Sequence, residues 1–480
     1  MSAQHIPVIN PYWQWQRGAG SLSLPSLADG PDRVDVAIIG GGLAGLSTAY
    51  HVLQRLPGLR VCVLEADVLG AGASGRTTGM LSPGVGQSLP ALVRRVGPVV
   101  ARQLYEQTLA AVRGVQTRVE AEGIDCDLRL GGQVMFARSL RQRRKLARLA
   151  QCMDALGLRD EVQCLDDAAL AARLRLPLAF SVDGERELND QPHPNDSNPP
   201  AALRFPTAGI VDPLRLIIGL CQRVLSRGGQ VYEQARVLHI DGLDPREHSG
   251  TSPTGPVRLM LTDPTGPIRR EIRADHVVVA AAGFAPRLGL WPGRLLPVQL
   301  QAIVSEPIVD ATLNHLGWTD RDGFIDARRV FSYFRLTEDR RIVFGGARPR
   351  YAWGGGDGSQ ADLSRALSQV ATDFRATFPA ELGIGIVGGW GGTIGYVVDA
   401  LPAIGRLSHA PRILHAVGWC GHGVALAMAA GSWLASSLAG DPLPDLPWFR
   451  STLPHVPTEL GRFVGFAAAT RYMALQDAWT

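Results

Sequence analysis

Lysine is nearly missing from this chain. Of its 48 basic residues only Lys145 is a lysine, and with 44 acidic residues the formal net charge is +4. No run of like charge interrupts the sequence. The densest basic stretch, "RQRRKLAR" from Arg141 to Arg148, reads as the solvated face of a helix, so no nucleic-acid partner is expected. The six cysteines (Cys62, Cys126, Cys152, Cys164, Cys221 and Cys420) are scattered without a C-x-x-C pair. That spacing offers neither a disulfide framework nor a zinc site, and no metal is expected. The N-terminal stretch lacks the apolar centre of a signal peptide, and no apolar run long enough to span a bilayer is free of charge. These absences lead to the expectation of a cytoplasmic protein without a transmembrane segment. The tail from Glu459 to Trp479 has a helical pattern but carries Arg462 and Arg471, as suits a helix docked on its own protein.

What the chain has in plenty is glycine, 55 residues in 480. The pattern G-x-G-x-x-G occurs three times, at Gly40/Gly42/Gly45, Gly70/Gly72/Gly75 and Gly383/Gly385/Gly388. At this glycine content the pattern alone decides nothing, and context must choose. Only the first triplet follows a charge-free β-branched stretch ("VAIIG") and opens a helical one ("LSTAYHVLQRL"). A second strand, "RVCVLEAD", then ends in Glu65, 20 residues after Gly45. Strand, glycine turn, helix, strand and terminal acid make a dinucleotide-binding βαβ unit. Gly40 turns the chain, Gly42 admits a pyrophosphate and Gly45 lets helix and strand close up. The helix N-terminus at Leu43 and Ala44 faces the phosphates. Glu65, followed by Ala66, accepts bonds from a ribose and disfavours a 2′-phosphate.

The second triplet falls in "GAGASGRTTGML", a loop with Ser74, Arg76 and Thr77. Here the chain resembles the D-amino-acid oxidase-like family of FAD-dependent oxidoreductases, which includes glycine oxidase, sarcosine oxidase and γ-glutamylputrescine oxidoreductase-like enzymes. The resemblance runs in order from about Val34 to Gly440. It implies non-covalent FAD, with Ser74, Gly75, Arg76 and Thr77 along the pyrophosphate and ribityl chain. Val237 would meet the adenine, and Gly283 and Gly392 would lie against the cofactor. It also implies that "GWCGHGVALAMAA" brings Gly421, His422, Gly423 and Val424, at a helix start, to the flavin. Arg76 stands where some relatives have a linking histidine, and Cys420 reads as a buried, inert thiol. Tyr333, Trp390 and His422 become candidates for the catalytic pocket, with Arg335 in "YFRL" as a possible anion holder.

The implied fold is α/β, α+β overall: a Rossmann-like FAD-binding domain with an inserted antiparallel-sheet substrate domain. The expected boundaries are an N-terminal extension (1–31), a discontinuous FAD domain (32–90, 200–285 and 386–440), a substrate domain (91–199 and 286–385) and a helical tail (441–480). The polar stretch Asp183–Pro200 reads as a return loop. The implied reaction is oxidation of a C–N bond in a small primary or secondary amine, giving an imine that hydrolyses. Thr393 and Ile394 stand where glycine oxidase-type members carry a carboxylate-gripping arginine, which favours an amine over an α-amino acid. Lys145 lies in a charged helix, unlike the oxygen-activating lysine of sarcosine oxidase-type relatives, so oxygen and another electron acceptor both stay open. Two other readings remain: a non-catalytic FAD-binding module, and a flavin monooxygenase or dehydrogenase of a non-amine substrate.

Overall fold

The computed structural model describes residues 6–15, 22, 24–25, 27, 30–176, 199–243, 255–263 and 266–478. Of the expected return loop, residues 183–198 lie outside them.

The apolar stretch Arg33–Ile39 forms a strand with Val34, Val36, Ala37 and Ile38 entirely buried. It sits inside the first sheet. Six strands lie there in the order Ala403–Arg406, Ile413–Val417, Gly266–Val279, Arg33–Ile39, Val61–Leu64 and Gln230–Tyr232. Val257–Asp263 pairs with Gly266–Val279 and with Val237–Ile240 on a side branch. The interior pairs are parallel, as strands buried on both faces require. The helices Leu43–Arg55 and Gly423–Leu438 pack on this sheet and on each other; Ser47 of the first donates to the Met428 carbonyl of the second. At about 1.5–3 kcal/mol per fully buried aliphatic side chain, this core is what holds the glycine turn in place.

The second sheet runs Ile386–Tyr396, Leu296–Ser305, Ile342–Tyr351, Tyr333–Leu336, Gly323–Asp326, Gln133–Phe136, Ala202–Phe205 and Gln163–Leu165. Its pairs are antiparallel except that between Gly323–Asp326 and Gln133–Phe136. A stack of aromatic rings (Phe324, Phe334 and Phe344) fills one face.

Three expected boundaries shift. Ile386–Tyr396, placed with the FAD domain, is an edge strand of the second sheet, because its backbone pairs along its length with Leu296–Ser305. Ala202–Phe205 likewise belongs to the second sheet, between Gln133–Phe136 and Gln163–Leu165. The N-terminal extension is no appendage in its described part. Ile9 and Pro7 bond Gly389, and Tyr12 and Trp13 of the short helix Tyr12–Trp15 are buried.

The C-terminal helix Glu459–Ala478 docks on its own protein. The Glu459 carboxylate takes the Gly354 N–H (2.6 Å) and the Tyr351 hydroxyl (3.1 Å). At the other end Asp477 takes the backbone N–H groups of Arg329 and Val330, each at 2.8 Å. Among the described residues no helix is long and apolar enough to cross a membrane.

Candidate active site

The first and second glycine triplets, separate in sequence, form one structure. A Cβ on Gly45 would stand 1.9 Å from the Gly40 carbonyl oxygen, and one on Gly75 would stand 2.1 Å from that of Gly70. In each triplet the third glycine therefore rests on the first. The loops then meet: Ser74 Oγ accepts the Leu43 N–H at 3.2 Å and lies 2.8 Å from where a Gly42 Cβ would be. The serine of the second triplet thus sits at the helix start of the first. Glu65 reaches the same turn, its carboxylate accepting the N–H of Gly41 (2.8 Å) and of Asp67 (3.1 Å). Burial raises the Glu65 pKa, and these two N–H donors oppose the rise.

Side chains from both ends of the molecule fix the loop after Ser74. Arg76 donates to the carbonyls of Ala71 (2.6 Å) and Gly391 (2.8 Å), which ties the loop to the strand Ile386–Tyr396. The Trp390 indole donates to the Arg76 carbonyl at 2.9 Å and the Trp13 indole to the Thr77 carbonyl at 2.7 Å. Trp13 was not foreseen. Its only sequence signal was an aromatic cluster, "PYWQW", in a segment taken for an extension.

One cavity of about 760 Å³ joins this cradle to the second sheet. Gly42, Leu43, Ala44, Ser74, Arg76, Thr77, Trp390, Gly392, Gly421, His422, Gly423 and Val424 line it, as does Tyr333. Among expected cofactor residues, Gly40, Gly45 and Gly75 shape the turns without lining it. Glu65 and Ala66 are not among its lining residues, Glu65 packing on Gly41, and Gly283 packs on the Ile394 backbone. Val237 also lies off the cavity wall, its side chain in the core of the first sheet. Its strand follows Ala235, whose N–H bonds the Glu65 carbonyl at 2.7 Å, so it continues from the edge where Glu65 sits.

Arg335 is a correction. It was expected to hold a substrate anion, yet it is fully buried and does not line the cavity. It shares a strand face with Tyr333, two residues away, but the N-terminal helix covers that end: its guanidinium stacks 5.0 Å above the Trp13 ring. It donates to the Val211 carbonyl at 2.7 Å and faces Asp127 at 3.7 Å. Burial lowers its pKa to about 10, with Asp127 opposing. Arg335 therefore ties strands to loops and is closed to substrate.

Tyr333 does face the cavity. Its ring lies across Gly345, where a Cβ would approach within 2.4 Å, and burial pushes its phenol up to about 12. It is a neutral hydrogen-bonding group throughout the physiological range. On the edge strand Ile386–Tyr396, with two strands of the same sheet between, Ile394 and Tyr396 line the cavity, while Thr393 accepts a bond from Gln299 at 2.8 Å. Trp390 lines the cavity, and its N–H is committed to the loop at the Arg76 carbonyl.

The helix Gly423–Leu438 begins at the cavity with His422 as N-cap and no side chain capping its first N–H groups. His422 Nδ1 is buried without a hydrogen-bond partner of good geometry, and burial lowers the His422 pKa. A neutral imidazole and a row of backbone donors thus meet the cavity together. Cys420, at φ +50°, receives the Val397 N–H at 3.2 Å, and burial pushes its thiol up to about 12. It is no thiolate nucleophile. Lys145 lies off the cavity, bonding the Ala327 carbonyl at 2.7 Å.

Residues 35–437 match the family described as "DAO: FAD dependent oxidoreductase". The chain belongs to this family. As a DAO-family oxidoreductase it takes FAD as cofactor. It is 28% identical to the γ-glutamylputrescine oxidoreductase of Escherichia coli (strain K12) over 454 residues, 92% of each chain. It is 23% identical to the glycine oxidase of Bacillus licheniformis, over 86% of this chain and 94% of that one. In fold it resembles the crystal structure of glycine oxidase from Geobacillus kaustophilus, with a TM-score of 0.66, 19% identity, and cover of 89% of this chain and all of that one.

The residues present fit FAD. A helix N-terminus whose N-cap is a glycine, with Ser74 Oγ on its Leu43 N–H, opens on the cavity at Gly42–Ala44, where a pyrophosphate would lie. Glu65 ends the second strand, where a ribose would take it. A second helix start, at His422–Val424 with no side chain from its N-cap on the first N–H groups, lines the same cavity. Among the described residues no group of three or more His, Cys, Asp or Glu side chains could hold a metal.

Proposed function

We propose that this protein oxidises the C–N bond of a primary or secondary amine that carries no carboxylate on the reacting carbon. The observation that supports this most is that Ile394 and Tyr396 on one strand and Tyr333 on another present apolar surface and a neutral phenol to the cavity, while Arg335, the arginine expected to hold an anion, is closed to it. FAD, when bound, accepts a hydride, and the resulting imine hydrolyses. The chain's own residues do the rest. The apolar wall excludes water and favours the neutral amine, the form able to release hydride. Tyr333 offers a neutral hydrogen bond, so only modest base assistance is needed. The N–H groups that start Gly423–Leu438, with His422, favour negative charge where they line the cavity. The electron acceptor would be oxygen or another molecule; the chain's one lysine, Lys145, is not among the lining residues. The free state of the described cysteines supports a cytoplasmic setting.

The test compares anaerobic flavin reduction by an N-methylalkylamine with that by its α-carboxylated analogue. The unsubstituted amine should react faster. Ile394→Arg should move the ratio of kcat/KM toward the amino acid by roughly tenfold or more, the scale of a charge-assisted hydrogen bond. A wild-type preference for the α-amino acid would overturn this reading of the wall.

A further inference from the structure

The cavity has no acid. Among the described residues lining it there is no aspartate or glutamate, and its formal charges are three arginines: Arg76, Arg329 and Arg462. Two are occupied. Arg76 is held by the Ala71 and Gly391 carbonyls, and Arg462 by Glu459 (2.8 Å) and the Val456 carbonyl (2.6 Å). Arg329 is exposed where it lines the cavity, and its guanidinium makes no hydrogen bond or ion pair among the described residues.

The turn that carries Arg329 is fixed from three directions. Lys145 donates to the Ala327 carbonyl at 2.7 Å. Arg328 bonds Asp326 at 2.7 Å and Asp373 at 3.3 Å, beneath the turn. From the C-terminal helix, Asp477 takes the backbone N–H groups of Arg329 and Val330. These bonds fix the backbone from which the Arg329 side chain leaves, which lowers the main-chain part of the ordering cost of binding there.

Building on the amine reading above, we propose that Arg329 is a specificity-determining residue. It receives an anionic group at the far end of the substrate, so the preferred amines are those bearing a carboxylate remote from the oxidised carbon. The same inventory disfavours diamines. A second ammonium would lose water on entering and find no protein carboxylate to replace it. A remote carboxylate would find the free fork of Arg329, suited to bidentate pairing.

The experiment is anaerobic flavin reduction by the holoenzyme with matched chains: butylamine, 1,4-diaminobutane and 4-aminobutanoate, then the five- and six-carbon homologues. At least one ω-amino carboxylate should exceed its alkylamine about tenfold in kcat/KM, and every diamine should trail its alkylamine. Arg329→Ala should bring the carboxylate-to-alkyl ratio toward one through a higher KM, and Arg329→Lys should retain part of it. Arg365→Ala, at an exposed position of the helix Gln360–Thr377 and not among the cavity-lining residues, should keep the wild-type ratio. Diamines outpacing alkylamines, or Arg329→Ala lowering all substrates equally, would overturn the assignment while leaving amine oxidation intact. Failure of every amine to reduce the flavin would instead remove the amine reading, and this assignment with it.

Discussion

Trp13 and Trp390 hold adjacent carbonyls of one loop from two parts of the chain 377 residues apart: the first bonds Thr77 and the second bonds Arg76. Between them lies the segment Ala73–Thr78, most of which lines the cofactor cavity. The Trp13→Phe substitution keeps an aromatic ring and removes the donor, leaving a carbonyl unsatisfied at roughly 0.5–1.5 kcal/mol for an ordinary hydrogen bond. FAD affinity, measured by flavin fluorescence after dilution, should weaken about two- to tenfold. An unchanged affinity would show that the N-terminal helix does not position the cofactor loop.

Cys420 lies in the cavity wall with its thiol pushed up to about 12, so it stays protonated at neutral pH. Arg76 has no nucleophilic chemistry to offer. The flavin should therefore come free in the supernatant when the protein is precipitated with acid. Flavin retained in the pellet, and lost from it in Cys420→Ser, would contradict this.

A buried histidine gives the pH dependence of stability a definite sign. His415 is fully buried, its Nε2 pairs with the Arg450 carbonyl at 2.9 Å, and burial lowers its pKa from 6.5 to about 4. Between those values the unfolded chain binds a proton that the folded one refuses, so stability falls as the pH drops. From pH 7 to pH 5 this one group should cost about 2 kcal/mol. Denaturant unfolding at the two pH values should show the loss, and His415→Gln should remove most of it. An equal loss in wild type and variant would assign the dependence to other groups.

The nucleotide turn was legible because all its parts are neighbours in sequence: strand, glycines, helix and Glu65 lie within 33 consecutive residues (33–65). Arg335 was misread for the opposite reason. Strand alternation fixes the face shared by Tyr333 and Arg335, but it cannot say that Trp13, more than 300 residues earlier, covers one and leaves the other open. The edge strand Ile386–Tyr396 was placed with the FAD domain (386–440) although it pairs in the second sheet. Its partner, Leu296–Ser305, is set by backbone pairing that composition does not encode. Arg329 escaped notice because "ARRV" looks like any charged turn. What marks it is the acid at Asp477, brought to it only by the docking of the C-terminal helix.

In the proposed reaction an amine gives its hydride to the flavin in the cavity lined by Gly42, Tyr333, Ile394 and His422. Its most direct test is the absorbance of the bound flavin under anaerobic conditions as primary and secondary amines are added, beside hydroxy acids and phenols with NADPH. Bleaching by amines alone, with the matching aldehyde or ketone released, is the predicted result. A flavin untouched by amines, or one bleached by the hydroxy acid or phenol series instead, would contradict it.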